Sequence, residues 1–467
     1  MSGSLVENFK KLVVARFEQL RLHTNESEAV ESLILLMVCR WQYDFVVGEQ
    51  GIKRADPLAL LEVLVQSVVG SNKYSDFEGN FVRVWQRMHL SIGSRSRSGL
   101  VLVEILDELI SCPFCNRDGE GTIGECFEWI LSFFAEENMG RGGYFFTPSG
   151  IVSLIIKVLD PKAGEKIYDP SCGSGEFLVE AINHVRRASP DGELFMLGRE
   201  MSPSVAFVAQ ANLFVHGVDE SCIENKRPLS GESYNAEVSG RFDLAIANPP
   251  FSLKNWDKGE SNEFLRYGVP PQASADFAFV QNILFSLNEK GRAAIIVPNG
   301  VLFRGGSEKI IRERMLKSGN VEAVISIPSM SFYGTAIPAN ILFLRRECSS
   351  DDVFFLDASS FFVKSQRLNR LDINGVEKLS NLFFDRAALG GVASLISLKD
   401  IEANDWDLTV SKYVGPVLSV LSESLECLLN RQVQLEKTQF FLQQQMKDLL
   451  SDLRSDVSTE LPGGPLI

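Results

Sequence analysis

The sequence has no uninterrupted apolar run long enough to cross a bilayer, although 45% of its 467 residues are hydrophobic. Its first residues, Met1 to Glu7, also lack the basic and then apolar layout of a signal peptide. We therefore expect a cytoplasmic globular protein without membrane contact. Two or three domains are expected, because a single core rarely grows to this length.

Cysteine is scarce: eight are spread over the chain, which excludes a disulfide framework. Cys112 and Cys115 have the spacing of half a zinc site, but no second close pair accompanies them. Structural zinc stays the minor alternative to two half-buried thiols, and we expect no metal in the active site.

Positive charge is also in deficit, with 46 basic against 60 acidic residues and a net charge of −14. A protein that grips DNA unaided usually has a basic surface, because neutralising phosphates dominates affinity. If the substrate is nucleic acid, a partner is expected to supply much of the grip. Basic clusters such as Arg304 through Lys317 are more typical of solvated helix faces.

Apolar spacing divides the chain into three parts. Residues from about 5 to 137 have helical periodicity, which Gly140 to Gly143 interrupts. From Ile151 onward, strands alternate with helices, which predicts a doubly wound, mostly parallel sheet. The last two strands, near Val321–Ile327 and Ala339–Leu344, lack a helix between them, so we expect an antiparallel strand at that end. The predicted domains are an N-terminal helical domain (1–138), a catalytic α/β domain (139–400) and a C-terminal segment (401–467).

The C-terminal segment contains a predicted long helix from Val417 to Leu453. Its apolar residues recur near helical spacing, at Leu421, Leu425, Leu428, Leu435, Leu442, Met446, Leu449 and Leu453. Such a stripe must be buried against something. Folding back on the N-terminal domain and joining a partner's helices both remain open, and we favour the partner.

Asn248-Pro249-Pro250-Phe251 closes the apolar strand predicted from Phe242 to Ala247. Prolines cannot continue a ladder, so the chain must leave the sheet here. In open α/β sheets, ligands lie outside the carboxyl ends of the strands. A side-chain amide oxygen and a carbonyl there can accept both hydrogens of an exocyclic amine, beside the flat ring of Phe251. A simple strand-ending turn is the alternative.

A glycine loop follows an earlier strand, with Asp169 and Ser171 leading to Gly173, Ser174 and Gly175. Its glycines let the backbone approach a ligand closely at the start of a helix. Glu200 ends the next strand, where a carboxylate commonly accepts ribose hydroxyls, although a solvated loop acid is the alternative. Together these residues predict a cofactor that carries a nucleoside.

These motifs, in this order, resemble the modification (methyltransferase) subunit of type I restriction-modification systems, a family of N6-adenine DNA methyltransferases. The resemblance covers Gly140 to about Arg346, with Val297 to Arg304 and Phe332 to Thr335 as downstream landmarks. It implies an S-adenosylmethionine-dependent methyltransferase fold. By resemblance, Asp169 to Gly175 form the methionine-binding loop, Glu200 binds ribose, Glu232 lies near the cofactor's adenine, and Asn248 to Phe251 are catalytic. The segment containing Phe146, Thr147 and Pro148 would contact the cofactor.

Two residues depart from the family pattern. Glu176 stands where a glycine is common, and Glu232 is longer than the usual Asp; both bear on cofactor affinity. Thr147-Pro148 also has a purely local interpretation, in which Thr147 caps a helix whose first residue is Pro148.

The resemblance implies methylation of a flipped-out adenine in DNA, with a separate specificity subunit that chooses the target. A second methyltransferase subunit and a restriction or translocase subunit are further partners it allows, in a restriction-modification or related phage-defence system. Two alternatives remain: methylation of another amine, in a protein glutamine or a ribosomal RNA base, and a non-catalytic scaffold.

Overall fold

A computed structural model of the chain describes two units, Met1–Val414 and Gly415–Ile467. The described residues are 2–50, 57–71, 75–111, 123–137, 146–218, 222–229, 237–256, 263–333, 335–347, 351–365, 368–415, 432–434, 436–439 and 442–446. None of the helices within these ranges combines the length and apolarity needed to cross a membrane. The predicted boundary near residue 138 falls inside the first unit and stays a prediction.

Within the described residues, six helices lie in the N-terminal part of the chain whose periodicity predicted helices. They are α1 Ser2–Arg21, α2 Glu26–Gln50, α3 Pro57–Ser71, α4 Ser75–Gly93, α5 Arg97–Ser111 and α6 Ile123–Glu137. Their apolar faces meet in one core, which includes Phe17, Phe81 and Phe127. The proposed half zinc site at Cys112 and Cys115 lies outside the described residues.

The following helices and strands alternate: α7 Ser149–Leu159, β1 Lys166–Asp169, α8 Glu176–Ala188, β2 Phe195–Arg199, α9 Pro203–Val215, β3 Cys222–Glu224, β4 Phe242–Ala247, α10 Asp276–Ser286, β5 Leu287–Pro298, α11 Ser307–Lys317, β6 Val321–Ile327 and β7 Ala339–Arg345. After these come β8 Asp352–Asp357, β9 Phe362–Val363, β10 Arg370–Leu371, α12 Ile373–Asp385, β11 Ala393–Ser397, α13 Leu398–Ala403 and α14 Val410–Tyr413. Alternation confirms the predicted α/β class.

In the described part of the chain, nine strands form one sheet in the order β11-β8-β6-β7-β5-β4-β1-β2-β3. Strands β3, β2, β1, β4 and β5 are mutually parallel. The predicted antiparallel strand is β7, but it lies inside the sheet, paired with both β5 and β6. Strand β11, at the edge, is antiparallel to β8. The sheet is therefore mixed, with a doubly wound parallel part that carries the predicted site.

Helix α9 joins the sheet to the N-terminal helices. Every residue from Val205 to Val215 is buried, so this helix has no solvent face. Phe207 and Phe214 lie in the core of the N-terminal helices, whereas Ala206 and Leu213 lie in the core against the sheet. A helix that is apolar all round is expected only where it is covered on every side.

The second unit is helical at 432–434, 436–439 and 442–446, within the predicted long helix. Of the predicted stripe, Leu442 and Met446 are described and are 58% and 61% exposed. The other stripe residues lie outside the described ranges, and binding of a partner there stays a prediction.

Candidate active site

The sheet order changes direction at β1, which pairs with β2 on one side and β4 on the other. Asp169 ends β1 and Asn248 follows β4, so both lie at the carboxyl edge of adjacent parallel strands. Crevices at such switch points are where ligands bind in open α/β sheets. The structure thus brings together two motifs that are 79 positions apart in the sequence.

The glycine loop between β1 and α8 has a fixed shape. Gly173 and Gly175 have φ of 55° and 84°, in the left-handed region that disfavours side chains. The side-chain amide of Asn212, on α9, donates to the Ser174 carbonyl at 2.9 Å. Because Asn212 is buried, this bond ties the loop to the helix behind it. The loop is therefore fixed against α9, while Gly173 lines the cavity described below.

Asp169 lies beneath this loop and is fully buried. One carboxylate oxygen accepts from the Ser171 backbone N–H at 2.9 Å, while Oδ2 has no hydrogen-bond partner among the described residues. Burial, followed by the nearby carboxylates of Glu176 and Glu200, raises the pKa of Asp169 to about 8. A buried acid with an unpaired oxygen is costly unless a donor or cation satisfies it.

Two further carboxylates surround the loop. Glu176, in the first turn of α8, accepts from the Ser174 hydroxyl, and burial raises its pKa to about 8. Glu200 accepts from the Ser202 backbone N–H at 2.7 Å and also from the N–H groups of Met201 and Gly173. Burial nevertheless raises the pKa of Glu200. The cleft therefore favours a ligand that brings positive charge.

Asn248 is half-buried, and its amide nitrogen donates to the hydroxyl of Thr147 at 2.9 Å. Thr147 is 3% exposed and precedes α7. The local interpretation of Thr147 as a helix cap was wrong: Pro148 occupies the cap position, and no side chain caps α7. The hydroxyl reaches across to the Asn-Pro-Pro motif instead.

The chain after this motif is held by Asp276, at the start of α10. Its Oδ1 accepts from the Ser252 backbone N–H at 2.7 Å, and its Oδ2 accepts from Arg304 at 3.1 Å. Ser252 has φ of 52°, a conformation that needs such support in a residue other than glycine. The Asp276 carboxylate is buried, so this network fixes the position of the loop that carries Phe251.

The ring of Phe251 contacts Phe332 edge to face, with centroids 6.5 Å apart. The ring of Phe146 contacts Tyr333 in the same manner at 5.8 Å. Phe332 and Tyr333, two of the landmark residues, therefore lie against the Asn-Pro-Pro-Phe motif and the segment before α7, respectively.

A cavity of about 540 Å³ opens at this edge, within the size range of small-molecule sites. Among the predicted residues, it is lined by Thr147, Ser171, Gly173, Glu200, Asn248 and Pro250. Cys172, within the predicted methionine-binding loop, also lines it, and the sequence did not indicate the remaining walls, which include Met201, Arg227, Pro228, Leu229, Leu253, Lys254, Asn255 and Trp256. Leu229 and Trp256 give the cavity apolar walls, and the planar indole ring of Trp256 is suited to contact with an aromatic ring.

A second cavity, of about 500 Å³, adjoins the first, since Thr147 and Glu176 line both. Phe146 and Pro148 line only this second cavity. Asp169, Ser174, Gly175, Pro249 and Phe251 are not among the lining residues of either cavity, although Pro249 and Phe251 flank the wall residue Pro250. Glu232 lies outside the described residues, so its predicted place near an adenine stays a prediction.

The basic cluster from Arg304 to Lys317 has internal partners. Arg312 is 2% exposed and donates to the Trp406 carbonyl at 2.9 Å, and Arg314 donates to the Tyr267 carbonyl at 3.0 Å. Lys317 pairs with Glu313 at 2.7 Å. The cluster thus joins α11 to its neighbours. Lys254, by contrast, is exposed at the rim of the larger cavity.

S-adenosylmethionine fits the donor set of this cleft. The positive charge of its sulfonium and ammonium groups would favour the ionised forms of Asp169 and Glu176, whose pKa values burial raises to about 8. Glu200 can accept from ribose hydroxyls, and the left-handed glycines leave room for close approach. The sheet, its switch point and this cleft define the chain as a member of the class of S-adenosylmethionine-dependent methyltransferase folds.

Comparison with known proteins gives the family. The chain belongs to the N-6 DNA methylase family, whose model matches residues 118–419. It is 33% identical over 337 residues to the type I restriction enzyme MjaVII methylase subunit of Methanocaldococcus jannaschii, covering 68% of this chain and 57% of that protein. It is 30% identical over 308 residues to the HindI methylase subunit of Haemophilus influenzae, covering 63% and 68%. The chain thus spans less than two thirds of the length of the MjaVII relative.

Solved structures agree with the fold. The type I restriction-modification methyltransferase subunit from Streptococcus thermophilus superimposes with a TM-score of 0.70 at 20% identity, covering 88% of this chain and 99% of that one. A modification subunit of a putative type I restriction enzyme from Vibrio vulnificus gives 0.65 at 20% identity, covering 89% and 98%. These two structures confirm the predicted fold, and the match to the family model confirms the predicted family resemblance.

Proposed function

We propose that this chain transfers a methyl group from S-adenosylmethionine to the N6 amine of an adenine in DNA. The observation that carries the proposal is the placement of Asn248 beside β1, opening into the same cavity as Glu200 and Gly173. An amine acceptor and a nucleoside-binding carboxylate thus face one space. Membership of the N-6 DNA methylase family supports the choice of amine.

The chain's residues would act mainly by placement. The amine of adenine is conjugated to its ring, so its lone pair is a weak nucleophile. Acceptance of its two hydrogens by Asn248 Oδ1 and the Pro249 carbonyl favours a pyramidal nitrogen and directs the lone pair into the cavity. When bound, S-adenosylmethionine supplies an electrophilic methyl group on a sulfonium. No strong base is required, because the nitrogen becomes acidic only after it has been methylated.

The target base must leave the duplex to reach this cavity, at a cost of a few kcal/mol. Stacking on Phe251 would offset about 1–3 kcal/mol of that cost. Phe251 is half-buried and its position is fixed by Phe332, so little ordering is needed when the base arrives. Leu229 and Trp256 would then enclose the adenine rings of substrate and cofactor between apolar surfaces.

Partners complete the proposal. The chain is acidic overall and its main basic cluster has internal partners, so a separate specificity subunit would supply the grip on DNA and choose the sequence. The names of the relatives, as methylase subunits of type I restriction enzymes, support this division. A second methyltransferase subunit and a restriction subunit would join the same assembly. The C-terminal helix, with Leu442 and Met446 exposed, is a candidate contact.

The test compares genomic DNA from the native host with the gene, without it, and complemented by Asn248→Ala. Sequencing of modified bases should find N6-methyladenine at defined sites only with the intact gene. Asn248→Ala should lower methylation more than about 1000-fold, while S-adenosylmethionine binding measured by calorimetry stays nearly intact. Asn288→Ala is the matched control, because Asn288 bonds Asp243 at 2.7 Å at the opposite end of β4. Unchanged adenine methylation in the gene deletion would refute the proposal.

A further inference from the structure

The amide of Asn248 has two ends of similar shape and opposite character, an oxygen that accepts and a nitrogen that donates. Methylation requires the oxygen to face the target amine, because the amine itself donates. A rotation of 180° about the last side-chain bond would present a donor to a donor. The amide must therefore be held in place before substrate arrives.

Thr147 holds the nitrogen end of the amide in the structure. Its hydroxyl oxygen accepts from Asn248 Nδ2 at 2.9 Å, so the nitrogen is occupied and the oxygen is left for the cavity. Both residues line the cavity, yet Thr147 itself is only 3% exposed. A hydrogen bond shielded from water in this way is a stronger orienting force than one at the surface.

The backbone around Thr147 is anchored, so its hydroxyl has a fixed position. The Pro148 carbonyl accepts from the backbone N–H groups of Ile151 and Val152 at 2.9 and 3.1 Å, at the start of α7. Phe146, on the other side, contacts Tyr333. Within the described residues, no side chain caps the start of α7, and the Thr147 hydroxyl bonds Asn248 instead.

We propose that Thr147 is a positioning residue that holds the Asn248 amide in place, and so acts in methyl transfer through Asn248. The inference rests on the proposed function and assigns to Thr147 a role distinct from contact with the cofactor. A hydroxyl is required at this position because the side chain must form a hydrogen bond with the amide. Valine has the same shape and cannot do so, whereas serine can.

The test uses the assembly purified from the native host through a tag on the full chain, carrying Thr147→Val or Thr147→Ser. The DNA substrate is the unmodified genome of the deletion strain, and methyl transfer is followed with labelled S-adenosylmethionine. Thr147→Val should lower kcat about 10- to 100-fold, because a misplaced reactive group costs that much in rate. Its Kd for S-adenosylmethionine and its KM for DNA should stay within about threefold. Thr147→Ser should restore kcat to within about threefold of wild type.

Thr24→Val is the matched control, because it removes a threonine hydroxyl that donates to the Leu20 carbonyl at 3.0 Å, far from the cavity. Wild-type kcat in Thr147→Val would overturn the inference while leaving the proposed function intact. An unchanged kcat together with a tenfold higher Kd for S-adenosylmethionine would also overturn the inference, and would indicate that Thr147 contacts the cofactor. Equal losses in the Val and Ser variants would indicate a packing role. If Thr147→Val does not fold, Thr147→Ala carries the same comparison. An inactive wild-type assembly would instead refute the proposed function.

Discussion

Affinity for S-adenosylmethionine should fall as the pH is lowered from 7 to 6. Asp169 and Glu176 have pKa values raised to about 8 in the free protein, mainly by burial. A positively charged ligand favours their ionised forms, so binding lowers their pKa and releases protons. Affinity must then decrease as the pH falls below the pKa of the free protein.

The size of the effect follows from the ionised fraction. A carboxyl group with a pKa of 8 is about 9% ionised at pH 7 and about 1% ionised at pH 6, so one obligatory carboxylate weakens binding about ninefold. Two would weaken it about 85-fold by the same reasoning. The ligand's own ammonium keeps its charge in this range, since α-amino groups titrate near pH 7.7–8.0. The slope of log Kd against pH therefore counts the carboxylates.

Calorimetry at several pH values, in buffers of different ionisation enthalpy, measures both Kd and the number of protons released. In Glu176→Gln, the plot of log Kd against pH should become shallower, with the magnitude of its slope reduced by about one if Glu176 contributes. Glu313→Gln is the matched control, because Glu313 pairs with Lys317 at 2.7 Å and lines neither cavity. A Kd independent of pH between 6 and 7, with no proton release, would refute the assignment of these acids to a cationic ligand.

Three further outcomes are expected. Phe251→Ala should lower methylation rates less than Asn248→Ala does, and 2-aminopurine fluorescence should report weaker capture of the flipped base; wild-type rates would exclude stacking. Asp276→Asn should cost about 1–3 kcal/mol in the free energy of unfolding, because an amide nitrogen cannot accept from Arg304, and should lower kcat through the Ser252 loop. Denaturant melts and single-turnover rates check both, and a rate unchanged after a measured loss of stability would separate the loop from catalysis. Gly150→Ala should destabilise by more than about 1 kcal/mol, because its Cβ would lie 2.0 Å from the Leu371 carbonyl oxygen; an unchanged thermal midpoint would contradict that contact.

Strand β4 was predictable from the sequence to the residue. An apolar run that ends in Asn-Pro-Pro has both a strong strand signal and an unambiguous stop, and the prediction Phe242 to Ala247 matches the structure. Strands β8 and β11, at the other edge, gave no comparable signal. A short apolar run such as Val353 to Leu356 fits a buried strand or a buried helix equally well.

Thr147 shows why the site was only partly predictable. A threonine and a proline before a helix have the local signature of a cap, so the sequence offered a complete but wrong explanation for them. The true partner of Thr147, Asn248, is 101 positions away and becomes its neighbour only when the sheet forms. The cavity walls Leu229 and Trp256 carry no local signature, because their role depends on what the fold places opposite them.

Helix α9 limits how this chain can be recombined with its relatives. One side of it belongs to the N-terminal helical core through Phe207 and Phe214, and its Asn212 bonds the glycine loop. A chimera joined near residue 138 would set one protein's helical bundle against another protein's α9. Exchange of the bundle would succeed only if the residues of α9 that pack against the bundle, such as Phe207 and Phe214, were exchanged with it. The unit that must be exchanged as a whole is therefore discontinuous in sequence. It consists of the first six helices and the bundle-facing side of α9, which begins 66 positions after α6 ends, counted from Glu137 to Pro203.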